Sequence, residues 1–494
     1  KDRGVKFELC FKKPNNNANE DTIKLYDQNR LIAVRQLHYS LNNENSIDVV
    51  LFLNGLPVAT VELKTGFTQS INDAIDQYKY NRKPSGEILL SFKKRALVHF
   101  AVSTDEVYMA TKLDGENTYF LPFNKGFNFG AGNPPVDGNY RTHYMWDVIW
   151  QKDNWLDIIT RFIHLEKKEE FNKKGKRKIK EALIFPRYQQ WEVVNNILDD
   201  VKEKKAGNRY LIQHSAGSGK SNSIAWLTHR LQNLHDEGDK VIFDSVIIVT
   251  DRRVLDKQLQ ETVEQFEHKE GVIEYIDEKK GGKGSQLAKA LNEKKKIIIT
   301  TIQTFPNILE DVGDMQGANF AVIIDEAHSS QAGDSAAKLK IALGKIKDDK
   351  EEDLEDLIAE MIKSKQFPKN VSFYAFTATP KAKTIELFGN KKTPDGKPEA
   401  FHEYSMKQAI EEGFIMDVLQ RYTPYKTFYK IAKKVDDNPE FEKDKAVKAL
   451  TKYIKLHPYQ ISQKVEIIIE HFRQNVASKV GGKAKAMLVT DSRQ

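Results

Sequence analysis

The sequence contains almost no cysteine and no long apolar run. A single cysteine, Cys10, in 494 residues excludes an intramolecular disulfide and any metal site built from several cysteines. No apolar stretch approaches the roughly 18 residues of a membrane span, and no signal-peptide pattern opens the chain. These absences favour a reducing cytoplasm and no membrane partner. Because the first residue is Lys1 and not Met, we expect a fragment or a missing N-terminus.

The composition is that of a globular protein with several domains. Hydrophobic residues make up 40% of the chain and charged residues 30%, which excludes collagen-like and wholly disordered classes. At about 100–200 residues per domain, the length predicts roughly three domains. The formal net charge of +7 is compatible with a polyanionic partner but does not identify one.

A loop with two glycines follows an apolar strand near the middle of the chain, in the sequence LIQHSAGSGKS of residues 211–221. Glycines let main-chain N–H groups converge on phosphates, a lysine reaches the β- and γ-phosphates, and a hydroxyl holds Mg²⁺. His214 stands where the general pattern has glycine. The alternative is a strand-to-helix turn with incidental glycines, but the helical spacing that begins at Ile224 favours a nucleotide site. Its candidate residues are Gly217, Ser218, Gly219, Lys220 and Ser221.

Residues 183–400 alternate continuous apolar strands with helices, which predicts a parallel α/β sheet. The carboxyl ends of parallel strands meet at one edge, so polar groups that end these strands should lie near the phosphate loop. Asp325 is placed to bind the Mg²⁺ held by Ser221, and Glu326 to activate the attacking water. The other polar strand ends are Asp251, Arg252, Thr301, Gln303, Thr377 and Thr379.

A hairpin in the first segment carries three charged residues in apolar strands. Asp48 lies on the strand before Asn54-Gly55, a strong hairpin signal, and Glu62 and Lys64 lie on the strand after it. Two carboxylates and a lysine suit Mg²⁺-dependent hydrolysis of a phosphodiester. The alternative is a surface salt bridge, which composition alone favours.

The register of this hairpin decides whether its carboxylates can meet. A two-residue loop would send Asp48 and Glu62 to opposite faces, because a slip of one residue flips every side chain. We therefore predict an odd-length turn or a bulge, most simply a three-residue loop with Gly55 in the left-handed conformation.

This arrangement resembles the PD-(D/E)xK nuclease superfamily, in which an Asp and a Glu-x-Lys on adjacent strands bind Mg²⁺. Members often carry Gln-x-x-x-Tyr on the following helix. Gln77 lies on such a predicted helix and could face the site or the DNA backbone, although Tyr80 makes the spacing one residue shorter.

The middle segment resembles superfamily 2 helicases and translocases. The phosphate loop, Thr-Asp-Arg, Thr-x-Gln, Asp-Glu-Ala-His and Thr-Ala-Thr follow in that order. The resemblance implies that Gln189 recognises adenine and that Thr377 and Thr379 couple the ATP state to the grip on DNA. It also implies that other strand-end residues contact nucleic-acid phosphates without reading sequence; these are Asp251, Arg252, Thr301 and Gln303.

A nuclease-like domain ahead of a translocase lobe resembles the restriction (motor) subunit of type I restriction–modification enzymes. This implies an α/β fold with a PD-(D/E)xK domain and RecA-like lobes, ATP and Mg²⁺ as cofactors, and double-stranded DNA as substrate. It also implies specificity and modification (methyltransferase) subunits as partners, in the cytoplasm of a bacterial or archaeal cell. The predicted segments are a nuclease-like domain at 1–165, a charged linker at 166–182, a first lobe at 183–400 and an incomplete second lobe at 401–494.

Several alternatives stay open at this point. The charged stretch 166–180 is a solvated linker by composition or a phosphate-contacting arm, and the loop 123–139 is a surface loop or a base-stacking one. The chain as a whole could be a DNA-repair or RNA helicase with an inactive nuclease-like domain, or a binding module that uses ATP as a structural ligand.

The last segment predicts a helix over 403–413, a strand over 417–422 and the first strand of a second lobe at 485–493. Motors of this kind complete the ATP site with arginines from a later motif. We therefore expect these 494 residues to bind ATP but to hydrolyse it poorly.

Overall fold

The computed structural model builds the chain on two large β-sheets with helices between and around them. It describes residues 8–14, 19–66, 69–171, 177–250, 253–264, 272–276, 283–301, 317–325, 369–391, 396–417, 465–466, 468–473, 476–477 and 485–487. The chain divides into two compact units, Lys1–Met416 and Asp417–Gln494, and the features below belong to the first.

The described residues form both strands and helices, as the α/β prediction requires. The strands are β1 (Leu31–His38), β2 (Ser46–Leu53), β3 (Leu56–Leu63), β4 (Val98–Val102), β5 (Val107–Ala110), β6 (Leu121–Pro122), β7 (His164–Phe171), β8 (Arg177–Ile184), β9 (Arg209–His214), β10 (Ser245–Thr250), β11 (Ile273–Tyr275), β12 (Ile297–Thr301), β13 (Phe320–Asp325), β14 (Val371–Thr377), β15 (Asn390–Lys391), β16 (Pro398–Glu399) and β17 (His402–Tyr404). The α-helices are α1 (Glu20–Asp27), α2 (Ile71–Asp76), α3 (Lys152–Asp157), α4 (Tyr188–Lys204), α5 (Lys220–Gln232), α6 (Arg253–Glu264), α7 (Lys283–Asn292), α8 (Ala382–Phe388) and α9 (Met406–Glu411), with π-helical turns at Gln77–Asn81, Met145–Ile149 and Ile158–Phe162.

The N-terminal sheet has six strands in chain order, β1 to β6. β3 and β4 run parallel and the other neighbours antiparallel. Its central strands are apolar and buried, which matches a sheet that is packed on both faces.

The β2–β3 turn corrects part of the register prediction. Asn54 and Gly55 form a two-residue turn with φ of 50° and 84°, and Leu53 pairs directly with Leu56, so the three-residue loop is wrong. The predicted bulge is present between Leu51 and Phe52, where the pairing shifts by one residue. Asn-Gly readily adopts the two positive φ values of a tight hairpin, so the extra residue enters the strand instead of the turn.

The second sheet has seven parallel strands in the order β11-β12-β10-β13-β14-β9-β17. β10, β12 and β14 are buried along their whole length, as the continuous apolar runs predict. The parallel α/β prediction for this segment is therefore confirmed.

The parallel sheet and the first compact unit both continue past residues 400 and 401, where the sequence predicts a lobe boundary. His402–Tyr404 forms β17, which adds to the second sheet beside β9, and the first compact unit continues to Met416. The helix predicted over 403–413 is the shorter α9, because a strand precedes it and the Ser405 hydroxyl caps it by accepting from the Gln408 N–H. The predicted strand over 417–422 and most of the one over 485–493 lie outside the described residues.

The charged stretch predicted as a linker contains an antiparallel two-stranded ribbon, β7–β8. Ion pairs cross this ribbon: Lys167 lies opposite Glu181 and pairs with it, and Arg177 pairs diagonally with Glu169. Cross-strand charge pairs stabilise such a ribbon without the apolar periodicity that would reveal it in the sequence.

The two sheets share one apolar core. Phe100 on β4 packs edge-on against Phe185, which precedes α4, at 5.9 Å between ring centroids. On α5, the Trp226 indole N–H donates to the Phe162 carbonyl at 2.9 Å. Within the part of the chain that the structure describes, no helix has both the length and the apolar character to cross a membrane.

Candidate nuclease and nucleotide sites

Asp48 and Glu62 come from neighbouring antiparallel strands. β3 pairs Val61 with Val49 of β2, and the same register continued by one residue sets Asp48 opposite Glu62. The bulge adds one residue and thereby reverses the side-chain alternation that a two-residue turn would otherwise impose. Asp48 also accepts a hydrogen bond from the Leu63 N–H at 2.8 Å, which ties it to β3.

Glu62 is fully buried and has one charged partner. Arg82 Nε donates to Glu62 Oε1 at 2.7 Å, while Oε2 has no hydrogen-bond partner among the described residues. Burial raises the pKa of Glu62 to about 7; the ion pair with Arg82 opposes this shift and the negative charge of Asp48 adds to it. A buried carboxylate oxygen without a partner is costly, so this atom fits a cation ligand.

The candidate nuclease site has two carboxylates that could bind a metal ion, those of Asp48 and Glu62. Among the residues that the structure describes, no group of three or more His, Cys, Asp and Glu side chains could hold one. Mg²⁺ is commonly bound by one or two carboxylates and completes its coordination with water and phosphate oxygens. Asp48 and Glu62 therefore fit a Mg²⁺ ion that also contacts a phosphate.

Lys64 directly follows β3 and meets the predicted helix. Its main-chain N–H donates to the Val102 carbonyl at 2.9 Å, and its Nζ donates to Gln77 Oε1 at 2.7 Å. Gln77 opens the π-helical turn Gln77–Asn81. The structure therefore brings Gln77 to the Glu-x-Lys motif although its spacing to Tyr80 departs from the superfamily pattern.

Gln36 on β1 contacts the candidate nuclease site, and no sequence motif predicts this contact. Its Nε2 donates to Asp48 Oδ1 at 3.1 Å, and its φ of 50° lies in the left-handed region. It lines an open groove of about 790 Å³ together with Arg35 and Asp48. Unusual backbone conformations cluster at functional sites, but nothing in the local sequence marks a glutamine in a strand for one.

The phosphate loop leads from β9 into α5. Gly217 and Gly219 have φ of 74° and 78°, a conformation that favours glycine. Lys220 Nζ donates to the His214 carbonyl at 3.3 Å, and Ser221 lies in the first turn of α5. Ser218, between the two glycines, is buried.

Arg187 and Gln190 support this loop from the start of α4. Gln190 Nε2 donates to the Gly219 carbonyl at 3.0 Å, and Arg187 donates to the Gly217 carbonyl at 2.8 Å. The Arg187 guanidinium also stacks on the Phe414 ring at 4.0 Å. No sequence motif predicts these three contacts.

Gln189, the predicted adenine ligand, is buried. Its Nε2 has no hydrogen-bond partner among the described residues. An unpaired buried amide is compatible with a ligand contact, although its neighbour Gln190 is the one that touches the loop.

Two histidines form a buried hydrogen-bonded chain behind the loop. His214 Nε2 lies 2.9 Å from His402 Nδ1, and His402 Nε2 lies 3.1 Å from a carboxylate oxygen of Glu192. Burial holds the pKa of His214 well below its usual range. The neutral ring thus takes the place of the usual glycine without adding charge beside Lys220.

The described strand ends share the edge that carries the phosphate loop. Asp325 ends β13, Thr301 ends β12 and Thr377 ends β14 opposite Gln213 of β9, while Thr379 is exposed just beyond. Because all seven strands are parallel, these ends lie on one side of the sheet. The remaining predicted residues lie outside the described part of the chain: Asp251, Arg252, Gln303 and Glu326.

Two protein families match this sequence. Residues 189–452, more than half of the chain, match the SWI2/SNF2 ATPase family. Residues 2–118 match the type I restriction enzyme R protein N terminus.

Individual relatives match at low identity. The type I restriction enzyme SauCOLORF180P endonuclease subunit of Staphylococcus aureus is 23% identical over 87% of this chain and 41% of its own length. The type I restriction enzyme HindI endonuclease subunit of Haemophilus influenzae is 26% identical over 80% of this chain and 35% of its own. The solved UvsW helicase of bacteriophage T4 matches with 16% identity and a TM-score of 0.26, over 42% of this chain and 57% of that chain. The chain spans less than half the length of the restriction enzyme subunits that it matches.

Proposed function

Because the chain belongs to the SWI2/SNF2 ATPase family and carries the N-terminal region of type I restriction enzyme R proteins, we propose that it is the nuclease and motor part of a restriction subunit. In this proposal ATP drives translocation of double-stranded DNA, and a Mg²⁺-dependent nuclease cuts it. Specificity and modification subunits supply recognition of the target, and the complex works in the cytoplasm.

One observation carries the nuclease half of the proposal. Asp48 and Glu62 lie opposite each other, Glu62 Oε2 is buried without a hydrogen-bond partner among the described residues, and Lys64 directly follows β3. When bound there, Mg²⁺ would neutralise charge on the scissile phosphate and lower the pKa of a water ligand. Lys64, held by Gln77, positions the attacking water or stabilises the negative charge of the phosphorane.

The motor half uses the edge of the second sheet. The main-chain N–H groups of residues 217–221 would bind the phosphates, and Lys220, which donates to the His214 carbonyl in this structure, would bind the β- and γ-phosphates. Ser221 and Asp325 would hold the Mg²⁺ of ATP, Glu326 would activate the attacking water, and Gln189 would bind adenine. The DNA track would be formed by Asp251, Arg252, Thr301 and Gln303, while Thr377 and Thr379 would couple the ATP state to the grip on DNA.

Plasmid cleavage by the complete restriction subunit with its partner subunits, ATP and Mg²⁺ tests both halves at once. We compare the wild type with Lys64→Ala and Lys220→Ala. Both variants should lose cleavage, because one lacks the nuclease lysine and the other the phosphate-binding lysine. ATPase activity should be retained in Lys64→Ala only.

Two results would contradict the proposal. Cleavage that survives in Lys64→Ala would indicate that the nuclease-like domain is inactive and does not cut the DNA. A wild type without any ATPase activity would indicate that ATP is only a structural ligand.

A further inference from the structure

One π-helical turn supplies partners to both members of the Glu-x-Lys motif. Gln77 begins the turn and hydrogen-bonds Lys64, and Arg82 caps it and hydrogen-bonds Glu62. The Arg82 N–H donates to the Gln77 carbonyl at 3.0 Å, which is the i→i+5 bond of a π-helix. This bond places Gln77 and Arg82 on successive turns of the same helix face, where Gln77 reaches Lys64 and Arg82 reaches Glu62.

A buried tyrosine, Tyr78, attaches the π-helical turn to the N-terminal sheet. Tyr78 is fully buried, and its hydroxyl lies 2.8 Å from the Thr60 hydroxyl on β3. Thr60 in turn contacts His99 Nδ1 at 2.8 Å on β4. These contacts fix the π-helical turn to the sheet, and the turn thereby fixes the backbone position of Arg82.

The Arg82 guanidinium bridges the two strands that carry the carboxylates. Its Nε donates to Glu62 Oε1, and its Nη2 donates to the Ser46 carbonyl on β2 at 2.7 Å. Arg82 is 7% exposed and Glu62 is fully buried. The planar fork of arginine suits two such fixed bonds, whereas a lysine ammonium offers only a point charge.

We propose that Arg82 is a positioning residue of the nuclease site, which holds Glu62 by Oε1 so that Oε2 alone is presented to the divalent cation beside Asp48. The proposal rests on the proposed function, because it assumes that Asp48 and Glu62 bind metal. The π-helical turn then orients both Glu62, through Arg82, and Lys64, through Gln77.

Two other roles for Arg82 give different results. A purely structural counter-charge would stabilise the fold without affecting metal affinity. A guanidinium that occupies the place of the metal would weaken binding, so its removal would tighten metal affinity.

Binding of Mn²⁺ to the nucleotide-free 494-residue chain, followed by electron paramagnetic resonance, separates these roles. Arg82→Gln should weaken Mn²⁺ binding by about 10–100-fold, the usual cost of losing a residue that orients a metal ligand. Arg82→Lys keeps the charge but not the fork and should recover only part of the affinity. The control Arg95→Ala removes an exposed arginine of the same domain and should leave binding unchanged.

Unchanged or tighter Mn²⁺ binding in Arg82→Gln would overturn the proposal, as would full recovery of affinity in Arg82→Lys. Should Arg82→Gln fail to fold, as judged by its melting temperature and ATP binding, the lysine variant carries the test. Asp48→Asn separates this proposal from the proposed function. If Asp48→Asn leaves Mn²⁺ binding intact, the metal site itself is refuted; if it abolishes binding while Arg82→Gln does not, only the role of Arg82 is refuted.

Discussion

Burial of Glu62 makes the stability of the metal-free protein depend on pH. The pKa of Glu62 rises from its ordinary value of 4.5 to about 7 because burial disfavours the charged form. The folded state then binds a proton more tightly than the unfolded state. The contribution of Glu62 to the free energy of unfolding is full below pH 4.5 and falls by about 3 kcal/mol as the pH rises to about 7.

Glu62→Gln removes this dependence, because glutamine does not titrate. In EDTA, the stability of the variant relative to the wild type should rise by about 3 kcal/mol between pH 4.5 and pH 7, measured by denaturant unfolding at several pH values. Glu116→Gln, at an exposed position of the same domain, is the control. A stability difference that stays constant across this pH range would contradict the prediction.

At the scale of elements, the turn between α4 and β9 fixes the position of β9, the strand that leads into the phosphate loop. Gly207 in this turn has a φ of +93°, and a Cβ there would lie 2.5 Å from the Lys369 carbonyl oxygen. Its N–H donates to the Ser372 hydroxyl at 3.0 Å, which joins the turn to β14. The close approach therefore involves main-chain atoms that cannot rotate away.

Gly207→Ala should lower the free energy of unfolding by about 1–3 kcal/mol more than Gly138→Ala, measured by chemical denaturation. Gly138 has a φ of +70° but nothing within 4 Å of its Cβ position, so it reports the cost of the backbone conformation alone. Equal losses in the two variants would show that the contact with Lys369 relaxes freely.

At the scale of the whole molecule, the apolar core joins the N-terminal sheet to the parallel sheet within the first compact unit. Phe185 lies at this junction, 4% exposed, and packs on Phe100 and Phe123. A partly buried ion pair joins Arg230 of α5 to Asp157 of α3 at 2.8 Å. The nuclease-like and ATP-binding parts should therefore unfold together.

Phe185→Ala should cost about 3–5 kcal/mol and lower the melting temperature of both parts in one transition, measured by calorimetry. Phe129→Ala, whose side chain is 69% exposed, should have little effect. Two separate transitions, with only one of them shifted by Phe185→Ala, would argue against a shared core.

The sequence by itself determined the features that depend on local patterns. The continuous apolar runs of β10, β13 and β14 predicted buried parallel strands, because only a strand covered on both faces is apolar throughout. Gly217 and Gly219 marked the phosphate loop because their positive φ values favour glycine. The hairpin turn was likewise readable from Asn54-Gly55.

Only the tertiary structure decided which residues meet. The bulge that puts Asp48 opposite Glu62, the addition of β17 to the sheet of β9, and the partners Gln36 and Arg82 all depend on contacts between distant segments. Strand register and buried ion pairs are set by the fit of whole elements, because many local arrangements have nearly equal energy until the core selects one. For that reason the motifs predict the chemistry that we propose for this chain, but they do not predict the residues that position it.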